Sequence, residues 1–304
     1  MKHPYILHTP KGEGAPIFFD SPHSGKIYPD TFEHKPAMHV MRTLEDMYVE
    51  ELFGAVPSLG AGFLEATFPR NFIDLNRQLS DLDPSMVEDG WVYVPAIDSR
   101  YARTGKGLIW KEAYSHGAIY KGLLSKDDVE DRIENYYKPY HKVLKEQIDD
   151  LHMKHGVAYH INCHSMPGIS SGGELDEKGA KRPDVVVSDR FGQTADPIFT
   201  KFIMHAFQDH GLSVKENDPY QGGEIVAGYG KPDMNIHSVQ IELNRDLYMD
   251  HQTLEKTDGF ETLQVIVSDV CRQICEYAKG TVPAKVLPKG LKDRRRSGIQ
   301  AESL

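Results

Sequence analysis

The chain has 304 residues, of which 39% are hydrophobic and 26% charged, and a formal net charge of −10. That length suits one large α/β unit, and the proportions are ordinary for a globular protein. The acidic balance disfavours nucleic acid and anionic membrane as partners, and an anionic small molecule would need a local cationic pocket.

Three cysteines, Cys163, Cys271 and Cys275, are too few for a disulfide framework in so long a chain, which fits a reducing compartment. The opening MKHPYILHTP lacks the apolar core of a signal peptide. No apolar run approaches the roughly 18 residues of a membrane span. The expected location is the cytoplasm.

In chain order, PIFFD at 16–20 reads as a buried strand, 43–53 as an amphipathic helix, and NFIDL at 71–75 as a second strand. The stretch 80–122 has little periodicity but many Gly, Asp, Arg and aromatic residues, as expected of an ordered functional loop. From 127 to 155, Val129, Ile133, Tyr136, Tyr140, Leu144, Ile148 and Leu151 recur at helical spacing. Ser125 is the expected N-cap, Gly156 the stop, and Pro139 a kink. VAYHIN at 157–162 and DVVVS at 184–188 read as strands, 196–210 as a helix stopped by Gly211, 237–243 as a strand, and 254–279 as a closing helix before Gly280.

This alternation predicts an α/β fold with a mixed, largely parallel sheet and helices on both faces. The end, 289–304, reads KGLKDRRRSGIQAESL, with a basic cluster and few apolar anchors. The expected organisation is a single domain over 1–288 and a loosely ordered basic tail.

Residues of catalytic type follow the apolar strands. PIFFD runs into Ser21-Pro22-His23, VAYHIN into Cys163-His164-Ser165, and HSVQI into Glu242-Leu243-Asn244-Arg245. In open α/β sheets, ligands bind outside the carboxyl ends of strands, so these residues are expected to converge. His23 and His164 are candidate ligands of a catalytic zinc, which needs three protein ligands and one open position. Asp46 is the preferred carboxylate, with Glu45 and Glu50 as competitors. His160 is expected in the core or behind the site, and Cys163 on the opposite side of its strand from His164. Arg70 and Arg77 flank the NFIDL run, and guanidinium grips carboxylate through a planar fork. Gly222, Gly223, Gly228 and Gly230 mark a turn or flap, because no phosphate-loop spacing accompanies them.

SPHSG at 21–25, the D-x-x-x-E-x-L-F stretch from Asp46, IDLNR at 73–77, RTGKGLI at 103–109, NCHSM at 162–166, QGGEI at 221–225 and QIELNRDLYM at 240–249 together resemble the N-formylglutamate amidohydrolase family. The resemblance covers about residues 15 to 280. That family is similar in fold to zinc carboxypeptidases and to the aspartoacylase and succinylglutamate desuccinylase group. It implies one Zn²⁺ per chain and a small acidic N-acyl amino acid as substrate, N-formylglutamate above all.

By the same resemblance, Asn76 and Arg77 match a pair that grips the substrate carboxylate. Arg70 matches an arginine that polarises the scissile carbonyl, and Glu242 the catalytic glutamate. Arg103 and Lys106, in the glycine-rich loop, are candidates for a second carboxylate. The relatives' first metal motif is H-x-x-E, and Lys26 stands in its last place here, so the carboxylate ligand must come from elsewhere. Asp46 fits the family's pattern. A related zinc deacylase acting on another acyl group and a non-catalytic ligand-binding relative are the alternatives. Glu242 argues against the last, since a pure binder needs no general base.

Overall fold

The computed structural model describes residues 3–12, 14–91, 99–172 and 176–280. Seven strands form one sheet in the order β1-β3-β2-β4-β7-β5-β6. They are β1 Tyr5–His8, β2 Ile17–Ser21, β3 Gly62–Ala66, β4 Ala158–Met166, β5 Val185–Ser188, β6 Val214–Glu216 and β7 Ile236–Asn244. The central four, β3, β2, β4 and β7, run parallel. Antiparallel pairings join β1 to β3 and β5 to β7. The sheet is therefore mixed and largely parallel, as the sequence pattern implies.

Both faces of the central strands are covered, and every residue of β7 is buried. Side chains alternate across a strand, and each face meets a different core. Ile161, Cys163, Val239 and Ile241 point toward α6 (Pro197–Gln208) and α8 (Gly259–Ala278). Phe18, Leu64 and Ala158 point toward α5 (Lys138–His155), which contributes Tyr140, Leu144 and Ile148. His160, Asn162 and His164 share the second face, so the polar residues of β4 lie on the α5 side. Cys163 faces away from His164, as expected.

Two expected elements are not formed. The stretch 43–53 is not one helix. Short helices α1 (Met38–Arg42) and α2 (Val49–Leu52) flank a turn in which Tyr48 has a left-handed φ of 67°. The Asp46 amide donates to the His23 carbonyl at 3.0 Å instead of to a preceding helical turn. That bond draws Asp46 against the end of β2. The stretch 71–75 is a run of turns, with Phe72 N donating to Pro69 O and Asp74 N to Leu108 O. Its buried Phe72, Ile73 and Leu75 pack into the core without a neighbouring strand. The strand in this part of the chain is β3.

The helix expected at 127–155 is α4 (Lys126–Arg132) and α5, joined by a π-helical turn at Ile133–Tyr137. Pro139 lacks the N–H of a regular helical bond, and the wider turn precedes it. Ser125 caps the start by accepting from Asp128 N, and Gly156 ends the helix at φ 69°. The closing helix begins at Gly259 because Leu254 adopts a left-handed φ of 62°. The loop 80–122 holds short helical turns including α3 (Arg100–Arg103), with 92–98 outside the described residues. The tail expected at 289–304 also lies outside them. Among the described residues, no helix is long and apolar enough to cross a membrane.

Candidate active site

His23 follows β2 directly, in a turn closed by Gly25. A Cβ at Gly25 would lie 2.1 Å from the Phe68 carbonyl oxygen, so only glycine lets this turn press against the segment leading to Arg70. Asp46 comes from the turn between α1 and α2. His164 lies within β4, two residues before its end at Met166, rather than beyond a strand ending at 162. All three are buried, and one donor atom from each lies within 4.8 Å of the other two. Neither Glu45 nor Glu50 joins them. Glu45 accepts from the Tyr28 hydroxyl at 2.8 Å, and Glu50 pairs with Lys26 at 3.0 Å.

The protonation of both imidazoles follows from their outer partners. Nε2 of His23 lies 2.7 Å from Asp74 Oδ1, and Nε2 of His164 lies 2.6 Å from Asn162 Oδ1. The nearest partner of each is an acceptor, which assigns the proton to each Nε2 and leaves each Nδ1 a lone pair. The two lone pairs face Asp46 Oδ2, at 3.4 Å from His23 and 3.0 Å from His164. His23 Nδ1 is buried with no hydrogen-bond partner. Three acceptors aimed at one another call for a cation between them, and two imidazoles with one carboxylate suit a divalent metal ion. The other Asp46 oxygen is held by Arg245 at 2.8 Å and by Arg70 at 3.4 Å. Burial alone would raise the Asp46 carboxyl, but Arg70 and the two histidines hold it well below the usual range.

Glu242 is the register partner of His164 across the parallel pair β4–β7, and both side chains emerge on the same face. It accepts from Gln240 Nε2 at 2.8 Å. Burial pushes its carboxyl up to about 7, with His164 pulling it down and Asp46 pushing it up. Arg245, a conceivable ion-pair partner for Glu242, hydrogen-bonds instead to Asp46 and Ser165. Arg70 donates to Asp74 at 3.1 and 3.3 Å, and its guanidinium lies 4.9 Å from the centre of the Trp110 ring.

Asn76 sits beside His164, its amide nitrogen 3.4 Å from Nε2 and 3.3 Å from Gln240 Oε1. Its oxygen accepts from Ile225 N at 2.8 Å, tying down α7 (Glu224–Tyr229). The QGG turn packs tightly here, since a Cβ at Gly223 would lie 2.4 Å from the Asn76 amide. Arg77 donates to the carbonyls of Lys106 and Asn76 and stacks 3.9 Å over the Tyr101 ring. Arg103 ends the short helix α3 and is exposed. Lys106 is half-buried, its ammonium 4.3 Å from the centre of the Tyr114 ring.

The family model described as N-formylglutamate amidohydrolase matches residues 15–249. This chain belongs to the N-formylglutamate amidohydrolase family. Its fold is similar to the crystal structure of N-formylglutamate amidohydrolase from Ralstonia eutropha JMP134, with a TM-score of 0.87 and 37% identity, covering 92% of this chain and 99% of that one. It is 26% identical to an N-formylglutamate deformylase of Pseudomonas putida, over 81% of this chain and 84% of the relative. It is 22% identical to one of Pseudomonas aeruginosa, over 87% and 94%.

The stretch shared with the N-formylglutamate amidohydrolase family contains every residue of the centre, from His23 to Arg245. It also contains several that sequence reasoning left without a role. Asn162 and Gln240 each stand two residues before a catalytic candidate on the same strand, and the two-residue period of a strand puts them on that residue's face. Asp74, four residues after Arg70, accepts from His23, Arg70, Trp110 and the Asn76 amide. The spacing allows Asp74 to pair with Arg70, but nothing in it points to His23 or Trp110, which turns bring to the same carboxylate. His160 stands behind the site, bonded to Asp20 at 3.0 Å and Ser238 at 2.7 Å.

Proposed function

We propose that this chain hydrolyses N-formyl-L-glutamate to formate and L-glutamate, using one zinc ion held by His23, Asp46 and His164. The observation that carries the reading is the convergence of three buried acceptor atoms, two of them imidazole lone pairs, beside a glutamate on the adjacent strand. The names of the relatives supply the substrate.

A zinc ion bound there would supply Lewis acidity, making a water acidic enough to lose its proton near neutral pH. Glu242 would take that proton as the water oxygen adds to the formyl carbon. Arg70 would stabilise the negative charge growing on the carbonyl oxygen. Glu242 would then pass its proton to the amide nitrogen as the C–N bond breaks, freeing glutamate and formate. A carboxyl poised near neutrality suits both transfers. Arg77 and Asn76 are assigned to one substrate carboxylate, and the loop holding Arg103 and Lys106 to the other. The buried, unpaired thiols of Cys163, Cys271 and Cys275 support a reducing, cytoplasmic setting.

The test is release of free amine from a panel of N-acyl amino acids, with and without added zinc, alongside elemental analysis. Cleavage of N-formylglutamate by a protein carrying about one zinc per chain is the expected result. Faster release from longer acyl groups would make this a deacylase of another kind. No turnover by the zinc-loaded protein on any acyl group would overturn the hydrolase reading.

A further inference from the structure

Lys106 is a half-buried ammonium with no carboxylate paired to it among the described residues, in a chain whose net charge is −10. Other lysines find acids: Lys26 pairs with Glu50, Lys111 with Asp83 and Lys256 with Glu51. Among the described residues, the charges that act on Lys106 are all of its own sign. Burial and the guanidiniums of Arg70, Arg77 and Arg182 together bring its ammonium down to about 8. A fold that places an ammonium among guanidiniums and gives it no acid of its own leaves room for an anion from outside.

The other three cations each have a protein acceptor as well. Arg70 serves Asp46 and Asp74, Arg77 donates to two backbone carbonyls, and Arg182 holds Asp176 at 2.8 and 3.1 Å. Lys106 alone of the four has only an aromatic ring beside it. A chain of contacts also links it to the site. Tyr114, beneath its ammonium, meets Trp110 edge-on at 6.1 Å, and Trp110 donates to Asp74, the partner of His23. Its own carbonyl accepts from Arg77 at 2.9 Å.

We propose that Lys106 binds the side-chain carboxylate of the substrate and sets the preference for acidic over neutral N-acyl amino acids. The assignment rests on the hydrolase reading above and selects Lys106 over the exposed Arg103. The competing account is that Lys106 merely stacks on Tyr114, a contact that needs no ligand.

Comparing kcat/KM for N-formylglutamate and N-formylglutamine in the zinc-loaded enzyme decides the matter, because the two differ only in side-chain charge. The wild type should prefer the glutamate compound. Lys106→Met should lower kcat/KM for that compound about 10- to 100-fold, the weight of one charge-assisted contact, and leave the glutamine compound within about threefold. Lys106→Arg should restore part of the preference. Melting temperature and zinc content show that each variant is folded, and Lys106→Gln serves if the methionine variant is not. A Lys106→Met enzyme that keeps the wild-type preference overturns the assignment and leaves the hydrolase reading intact. A wild type that cleaves neither compound overturns both.

Discussion

Asn162 presents its amide oxygen to Nε2 of His164 at 2.6 Å while its amide nitrogen donates to Asp20 at 2.7 Å. Asp20 also accepts from Tyr140 at 2.9 Å and His160 at 3.0 Å, so its carboxylate is fixed and the Asn162 amide cannot turn over. The consequence reaches the His23–Asp46–His164 cluster, because the imidazole of His164 is locked with Nδ1 turned toward Asp46. Asn162→Leu should weaken zinc binding about 10- to 100-fold, the usual cost of losing an outer partner. Competition with a chelator measures this directly. Unchanged affinity would mean that strand packing alone orients His164.

Asp46 and Glu45 are neighbours in sequence with opposite fates. Asp46→Asn should lose most bound metal, since an amide is a poor zinc ligand and no longer balances Arg70 and Arg245. Glu45→Gln should keep it. Burial pushes the Glu45 carboxyl up to about 7, against the pull of Tyr28 and Arg42, and it bonds to Tyr28 away from the centre. Metal loss from the Glu45 variant with retention by the Asp46 variant would reverse the ligand assignment.

Glu242→Gln preserves shape and the hydrogen bond from Gln240 but cannot accept a proton. It should retain zinc and substrate binding and lose roughly 10²- to 10⁴-fold in kcat. In the parent enzyme, activity should fall on the acid side as Glu242 becomes protonated. The limb lies at or below about 7, since a divalent cation nearby favours the charged form. A stable, zinc-loaded glutamine variant with near-normal kcat would remove Glu242 from the mechanism.

His141, on α5, lies 2.9 Å from the Leu75 carbonyl and 2.8 Å from the Tyr229 hydroxyl, joining the loop that carries Asn76 to α7. Burial lowers its pKa from 6.5 to about 4, with the Leu75 bond and Asp20 opposing. Between those values the unfolded chain binds a proton that the folded chain refuses, so stability is lost as pH falls from 6.5 toward 4. After discounting for the ring's partial exposure, the loss is roughly 2 kcal/mol. Denaturation curves for wild type and His141→Gln at pH 7, 5.5 and 4 should diverge, with the wild type losing more. Parallel decline would show that other groups govern acid stability.

Four of the buried strands, β2, β4, β5 and β7, were legible from their composition, whereas buried β3 (Gly62–Ala66) was not. FFD, AYHIN, VVV and SVQI are all β-rich runs, and AYHIN and SVQI carry polar residues on one face. The site on β4 and β7 followed, since a strand's two-residue period fixes which side chains share a face. The breaks came where tertiary bonds override local spacing. Leu44, Met47 and Leu52 have helical spacing, yet Asp46 N bonds across the chain to His23 and Tyr48 turns left-handed. Phe72, Ile73 and Leu75 look like strand residues, but they are buried from a turn whose polar atoms bond to distant loops. Asp74 was missed for the same reason: its four donors come from Asn76, His23, Arg70 and Trp110, and their meeting is encoded in no short spacing.

His164 and Glu242 are fixed relative to each other by nine residues of continuous parallel pairing between β4 and β7. Neighbouring strands stand about 4.8 Å apart, and that spacing yields little. These two candidate site residues are thus set by the central sheet, while Lys106, Arg103 and the QGG turn ride on loops. Changes of substrate in such a scaffold can accumulate in the loops without altering the spacing of His164 and Glu242.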